Sequence, residues 1–147
     1  SLRTYHVGDS GILVTGLRGR IKLRTADHSP VGYAVEAGLL DANDALHHDE
    51  RHLVSNMVGM SDMRIDVGSP IRLAPRDTVV LASDGLFDNL SDDEVAGAIR
   101  TGRLSVGLTR LTTTCRRRMT EPRPSHPSKP DDLTVIVFRP ATWKRSA

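Results

Sequence analysis

Apolar positions alternate with polar ones in some stretches of the chain and recur at three- and four-residue spacing in others. The first pattern opens the sequence. Thr4 to Val7, Ile12 to Leu17 and Ile21 to Arg24 are β-type segments, the last two joined by a turn at Arg18-Gly19-Arg20, and together they predict a meander of short antiparallel strands. Beyond Gly32 the period lengthens. Val35, Ala37, Leu39 and Leu40 suit a helix, and a second short one is expected from Asp41 to about His48, so a helical pair is inserted between sheet elements. Ser55 to Asp62 is irregular. Met63, Ile65 and Val67 then alternate with Arg64 and Asp66, which predicts a half-buried strand. Thr78 to Ala82 is a continuous, β-branched apolar run, the pattern of a central strand covered on both faces.

The clearest helix start is Ser91-Asp92-Asp93-Glu94, a capping box in which Ser91 and Glu94 satisfy free amides reciprocally. Leu90 and Val95 fit the accompanying hydrophobic staple. A longer helix from about Ser105 carries Leu104, Leu108, Leu111 and Cys115 on one apolar stripe, which explains Cys115 as core and not as nucleophile. Glu121 to Pro130 holds four prolines and must be a loop. Leu133 to Phe138 is a final strand. There is no internal repeat, low-complexity tract or linker.

Composition narrows this picture. At 147 residues the chain builds one domain, and with two Phe, two Tyr and one Trp its core rests on Val, Leu, Ile and Met. Net charge is +2, from 20 Lys+Arg against 18 Asp+Glu, so no nucleic-acid partner is indicated. Arg116, Arg117 and Arg118 are expected on the solvated face of a helix, and Lys144 and Arg145 in an exposed tail spanning residues 141–147. A single cysteine excludes an intrachain disulfide and points to a reducing, cytoplasmic setting. No apolar run approaches the roughly 18–20 residues of a membrane helix. Ser1 to Ser10 does not read as a signal peptide, and Tyr5-His6-Val7 reads as a strand already in progress, so the fold is expected to begin upstream.

Candidate chemistry lies at strand ends. Asp9 follows Val7, Asp84 follows the Thr78 to Ala82 run, and Asp131 with Asp132 precede Leu133 to Phe138. If the last two strands are antiparallel neighbours, their carboxylates converge. Convergent carboxylates repel, and a hard divalent cation resolves the conflict. Mg²⁺ and Mn²⁺ take carboxylate, carbonyl and water oxygens, so a few Asp side chains suffice. Each Asp taken alone is an ordinary turn former; the set on apolar strand ends favours a metal site.

These residues lie in segments that resemble the motifs of the PPM (protein phosphatase 2C) family of metal-dependent serine/threonine phosphatases. The segments are Val7-Gly8-Asp9-Ser10, Thr25 to Ser29 (TADHS), Leu81 to Asp88 (LASDGLFD) and Asp131 to Val137 (DDLTVIV), in the family's order. Gly38 to His48 and His52 to Gly59 are similar to the helical pair and following segment of bacterial members, so the resemblance runs to about Pro140. It implies an α+β fold, an αββα sandwich of two antiparallel sheets flanked by helices, with residues 1–140 as the C-terminal portion of one such domain, incomplete at its N-terminus. It further implies a dinuclear Mg²⁺ or Mn²⁺ centre. Asp84 matches a direct ligand and Asp131 the ligand before the last strand, while Asp9 and Asp88 match positions that help hold a third, weaker metal. Asp132 stands where the family more often has Asn; either neighbour could be the ligand, and the motif register prefers Asp131. The implied reaction is hydrolysis of phosphoserine or phosphothreonine in a protein substrate, water attacking phosphorus in line with the leaving oxygen and no phosphoenzyme forming.

The family's Asp-Gly-His-Gly motif and its phosphate-clamping Arg have no counterpart in these residues, and Arg3 precedes Asp9 on the same strand. The chain alone is therefore expected to be inactive, and a sandwich lacking strands is expected to expose apolar sheet edges open to association. The rival reading is a noncatalytic PPM-like module that binds a partner without turnover. Other matches fail. Gly8-Asp9-Ser10-Gly11 lacks the next glycine of a serine-hydrolase elbow. His48 to His52 lacks the zincin Glu. The EF-hand-like start at Asp41 has Leu46 at the Gly position.

Overall fold

The structure, a computed structural model, describes residues 1–140; the expected tail at 141–147, with Lys144 and Arg145, lies outside the described residues. Six strands and five α-helices follow in the order β1 (Tyr5–His6), β2 (Gly11–Thr15), β3 (Ile21–Arg24), α1 (Pro30–Glu36), α2 (Ala42–Ala45), β4 (Asp66–Val67), β5 (Thr78–Ala82), α3 (Asp84–Phe87), α4 (Asp92–Ile99), α5 (Leu104–Thr120) and β6 (Val135–Phe138). A 3-10 turn at Asp49–His52 follows α2. The strands form two antiparallel sheets, one of four strands in the order β3-β2-β5-β6 and one of two, β1-β4. This is the expected α+β class.

Register explains the core. Leu13, Val80 and Val137 form one cross-strand row and Gly11, Ala82 and Val135 the next. On this face Leu13, Val80 and Ala82 pack with Leu86, Phe87, Leu90, Val95, Ile99, Leu111 and Cys115, from α3, α4, α5 and the segments between them. The alternate row, Ile12, Leu81 and Ile136, points the other way. There Leu81, Ile136 and Phe138 are 39%, 59% and 52% exposed although Val14 and Val79 on the same face are buried, so among the described residues this side of the sheet is only partly covered, short of the two-sided cover expected for Thr78 to Ala82.

Capping set the helix boundaries that apolar spacing misplaced. The first helix lies earlier than expected: Ser29 accepts the N–H of Gly32, Pro30 occupies the first turn, and Gly38 ends it at φ 70°. Leu39 consequently lies outside the helix and is exposed. The second is a single turn capped by Asp41. The opening meander does not form. Only β2 and β3 make a hairpin, because Gly8 at φ 98° turns the chain and β1 pairs with β4 instead. The Met63 to Val67 strand is reduced to Asp66–Val67, and Met63, Ile65 and Val67 are exposed, having no layer over them among the described residues.

The capping box at Ser91 forms as read, with Leu90 and Val95 both buried. Cys115 is fully buried and its thiol, pushed up to about 11 by burial, donates to the carbonyl of Gly85 at 3.1 Å. Arg118 corrects the expectation of a solvated trio. Arg116 and Arg117 are exposed, but Arg118 falls on the buried side of α5, where it donates to the Asn89 carbonyl at 2.6 Å and to both oxygens of Glu94.

Candidate metal centre

The site is assembled by the β5–β6 pairing. Ala82, the last residue of β5, lies opposite Val135, the first of β6, so the segment leaving one strand and the segment entering the other share one sheet end. Ser83 stitches them together: its hydroxyl donates to the Asp132 carbonyl at 3.0 Å, accepts the Thr134 N–H at 3.1 Å, and its own N–H donates to the Thr134 carbonyl. From this clasp α3 starts directly at Asp84 and ends before Asp88, which puts the two carboxylates one helical turn apart on one face. Gly85 makes the close approach possible, since a Cβ there would lie 2.3 Å from the Asp132 carbonyl oxygen.

Asp84, Asp88 and Asp131 each bring one carboxylate oxygen within 4.8 Å of the others. Asp9 is not a member of this trio. Its charge nevertheless reaches it, adding to the rise of the Asp84 carboxyl. Of the two neighbours in the segment before β6, Asp131 brings its carboxylate to the trio, with Oδ1 taking the Asp132 N–H at 2.8 Å. Asp132 contributes its backbone carbonyl to Ser83, and both residues are exposed.

Sequence reading missed the residue at the centre. The Lys129 ammonium lies 2.5 Å from Asp88, 3.2 Å from Asp84 and 3.6 Å from Asp131. Its backbone is fixed by Asn89, a fully buried side chain that accepts the Lys129 N–H at 2.8 Å and donates to its carbonyl at 2.8 Å. The signal available was weak, a lone Lys two residues before Asp131 in a proline-rich loop. Burial raises the carboxyls of Asp84 and Asp88 above the ordinary range against the pull of Lys129. Burial opposes the charge on Lys129, but its bonds to Asp88 and Asp84 outweigh this and hold its pKa above the ordinary value.

A second layer surrounds the trio. Arg24 donates to Asp27 at 3.2 Å and to Asp92 at 3.2 Å, and lies 4.1 Å over the Phe87 ring. Behind Asp9, the wholly buried His28 accepts the Gly8 N–H at 3.1 Å and that of the Asn56 side chain at 2.7 Å on Nδ1, leaving Nε2 to donate to Asp66 at 3.0 Å.

The donor set fits a hard divalent cation. It offers carboxylate oxygens only, converging on a point that already carries a positive nitrogen, and no thiolate or imidazole joins it. Mg²⁺ or Mn²⁺ is the cofactor such a set selects.

No protein-family model matches the chain. A protein named as phosphatase 2C-type in Streptococcus pyogenes is 36% identical over 91 residues, which is 61% of this chain and 36% of that protein. The serine/threonine phosphatase of S. agalactiae superposes with a TM-score of 0.73 at 28% identity, over 93% of this chain and 53% of its own. By sequence and by fold, the chain matches the PPM-type serine/threonine phosphatases. A solved PPM catalytic domain, that of PstP in complex with 2 manganese ions, shares the fold with a TM-score of 0.69 at 23% identity, over 93% of this chain and 53% of its own. The chain thus spans about half the length of the solved PPM chains and little more than a third of its curated relative.

Proposed function

We propose that the chain supplies the C-terminal part of a metal-dependent phosphatase that removes phosphate from serine and threonine residues of protein substrates. The observation that carries this reading is the convergence of Asp84, Asp88 and Asp131 at one sheet end, in a fold shared with PPM phosphatases. Asp84 and Asp131 hold the divalent ions, and Asp88 with Asp9 adds negative charge at the rim. Bound there, a pair of Mg²⁺ or Mn²⁺ ions supplies an acidified water and neutralises phosphate charge. The chain's own residues do the positioning: Ser83 locks the two carboxylate-bearing segments, Asn89 fixes the loop before Asp131, and Arg24 steadies Asp27 beside the site.

Residues 1–140 are one portion of a single two-sheet domain. The partly exposed face that carries Leu81, Ile136 and Phe138 is the surface on which the remaining layer packs. Cleavage by the chain alone is negligible, since the family's Asp-Gly-His-Gly motif and phosphate-clamping Arg have no counterpart in these residues. The test is Mn²⁺-dependent hydrolysis of a phosphothreonine peptide by the protein translated together with its upstream coding sequence. Activity that falls to background in Asp84→Asn is expected; metal-independent turnover, or full turnover by Asp84→Asn, overturns the reading.

A further inference from the structure

Three carboxylates face one another at the end of the β5–β6 pair, and a cation already stands among them. The Lys129 ammonium contacts all three, at 2.5, 3.2 and 3.6 Å. We propose that Lys129 is a tethered counter-ion that occupies the cation position of the cluster and competes with the divalent metal for it. This rests on the metal-site reading above, and adds a residue that sets how readily the site loads.

The arrangement suits a displaceable plug better than a permanent structural pair. The Lys129 backbone is clamped on both sides by the buried Asn89 amide, so the main chain need not move. Its ammonium hangs on a flexible four-carbon stem with a side chain 22% exposed. An open groove lined by His48, Asp49, Arg51 and Ser128 adjoins it and gives the stem space outside the cluster. Rotation about side-chain bonds is sufficient to exchange one cation for another. While seated, the ammonium offsets repulsion among Asp84, Asp88 and Asp131. Once a metal enters, the same charge repels it from a few ångströms.

The proposal is tested with Lys129→Met, which keeps length and removes charge. Mn²⁺ is titrated into the protein translated together with its upstream coding sequence, and paramagnetic broadening of the amides of residues 84–88 and 131–132 is followed by NMR. Affinity should rise on the order of ten- to a hundredfold, the scale for deleting a like charge at this range in a partly exposed site. In chelator, Lys129→Met should melt below the parent, and adding Asp88→Asn should recover most of the loss, because one repelling carboxylate has gone. Mn²⁺ affinity within twofold of the parent, or an unchanged melting point in chelator, overturns the counter-ion role while leaving the metal site standing. If neither protein broadens these amides at millimolar Mn²⁺, the metal-site reading itself fails, and the competition with it.

Discussion

His28 and Gly8 are joined twice, the imidazole Nδ1 accepting the Gly8 N–H at 3.1 Å and the His28 N–H donating to the Gly8 carbonyl at 2.9 Å. The pair fixes a backbone turn at φ 98° immediately before Asp9. His28→Phe fills the space but leaves the buried Gly8 N–H without its acceptor and the Asn56 amide with the Arg64 carbonyl alone, an unpaired buried donor costing about 1–3 kcal/mol. A lower urea midpoint at unchanged slope is expected, with faster hydrogen exchange at Asp9.

Asp84→Asn separates function from stability. Burial is the main reason its carboxyl is raised, with Asp9 and Asp131 adding to it, so its ionised form is a burden on the metal-free fold. In chelator the variant should melt at or above the parent. With Mn²⁺ the parent midpoint should climb with metal concentration while that of the variant stays flat.

Gly85→Ala tests the close approach beneath the site. Alanine gains about 1 kcal/mol over glycine in a helix, yet its Cβ would meet the Asp132 carbonyl oxygen at 2.3 Å and the Asp131 Cβ at 3.5 Å. The clash should dominate, with a net loss of about 1–3 kcal/mol by denaturant unfolding. Mn²⁺ binding should weaken although every carboxylate is retained.

The Glu94–Arg118 pair gives a pH signature. Burial pushes the Glu94 carboxyl upward, but hydrogen bonds from Arg118 and Ser91 outweigh it and hold the group below its ordinary 4.5. A lowered folded value means stability that is fully present above the unfolded value and is lost as pH falls through the folded one. The difference in melting temperature between parent and Glu94→Gln should therefore be constant from neutrality down to about pH 5, and shrink below it.

Elements with a strong local signal were legible in the sequence. The Ser91 capping box, the Thr78 to Ala82 strand and the Cys115 stripe stand where pattern put them, because caps and unbroken apolar runs are decided locally. The gathering of Asp84, Asp88 and Asp131 was legible in part, through their place at the ends of apolar segments. What escaped depends on partners remote in sequence. β1 chose β4 over β2, Arg118 turned inward to meet Asn89 and Glu94, and Lys129 reached the cluster from a loop whose prolines carry no orientation signal. Where the apolar period ran past a helix end, at Ala37 to Leu40, the Ser29-Pro30 start and Gly38 stop were the better guides.

The clasp at Ser83 ties the spacing of two acidic walls to the ladder between β5 and β6. A slip of that ladder by one rung would break the Ser83 bonds to Asp132 and Thr134 and carry Asp131 along the sheet end away from Asp84. Ligand geometry is in this sense written in main-chain alignment, and a substitution at the far end of β6, near Phe138, can detune ion capture without touching a carboxylate.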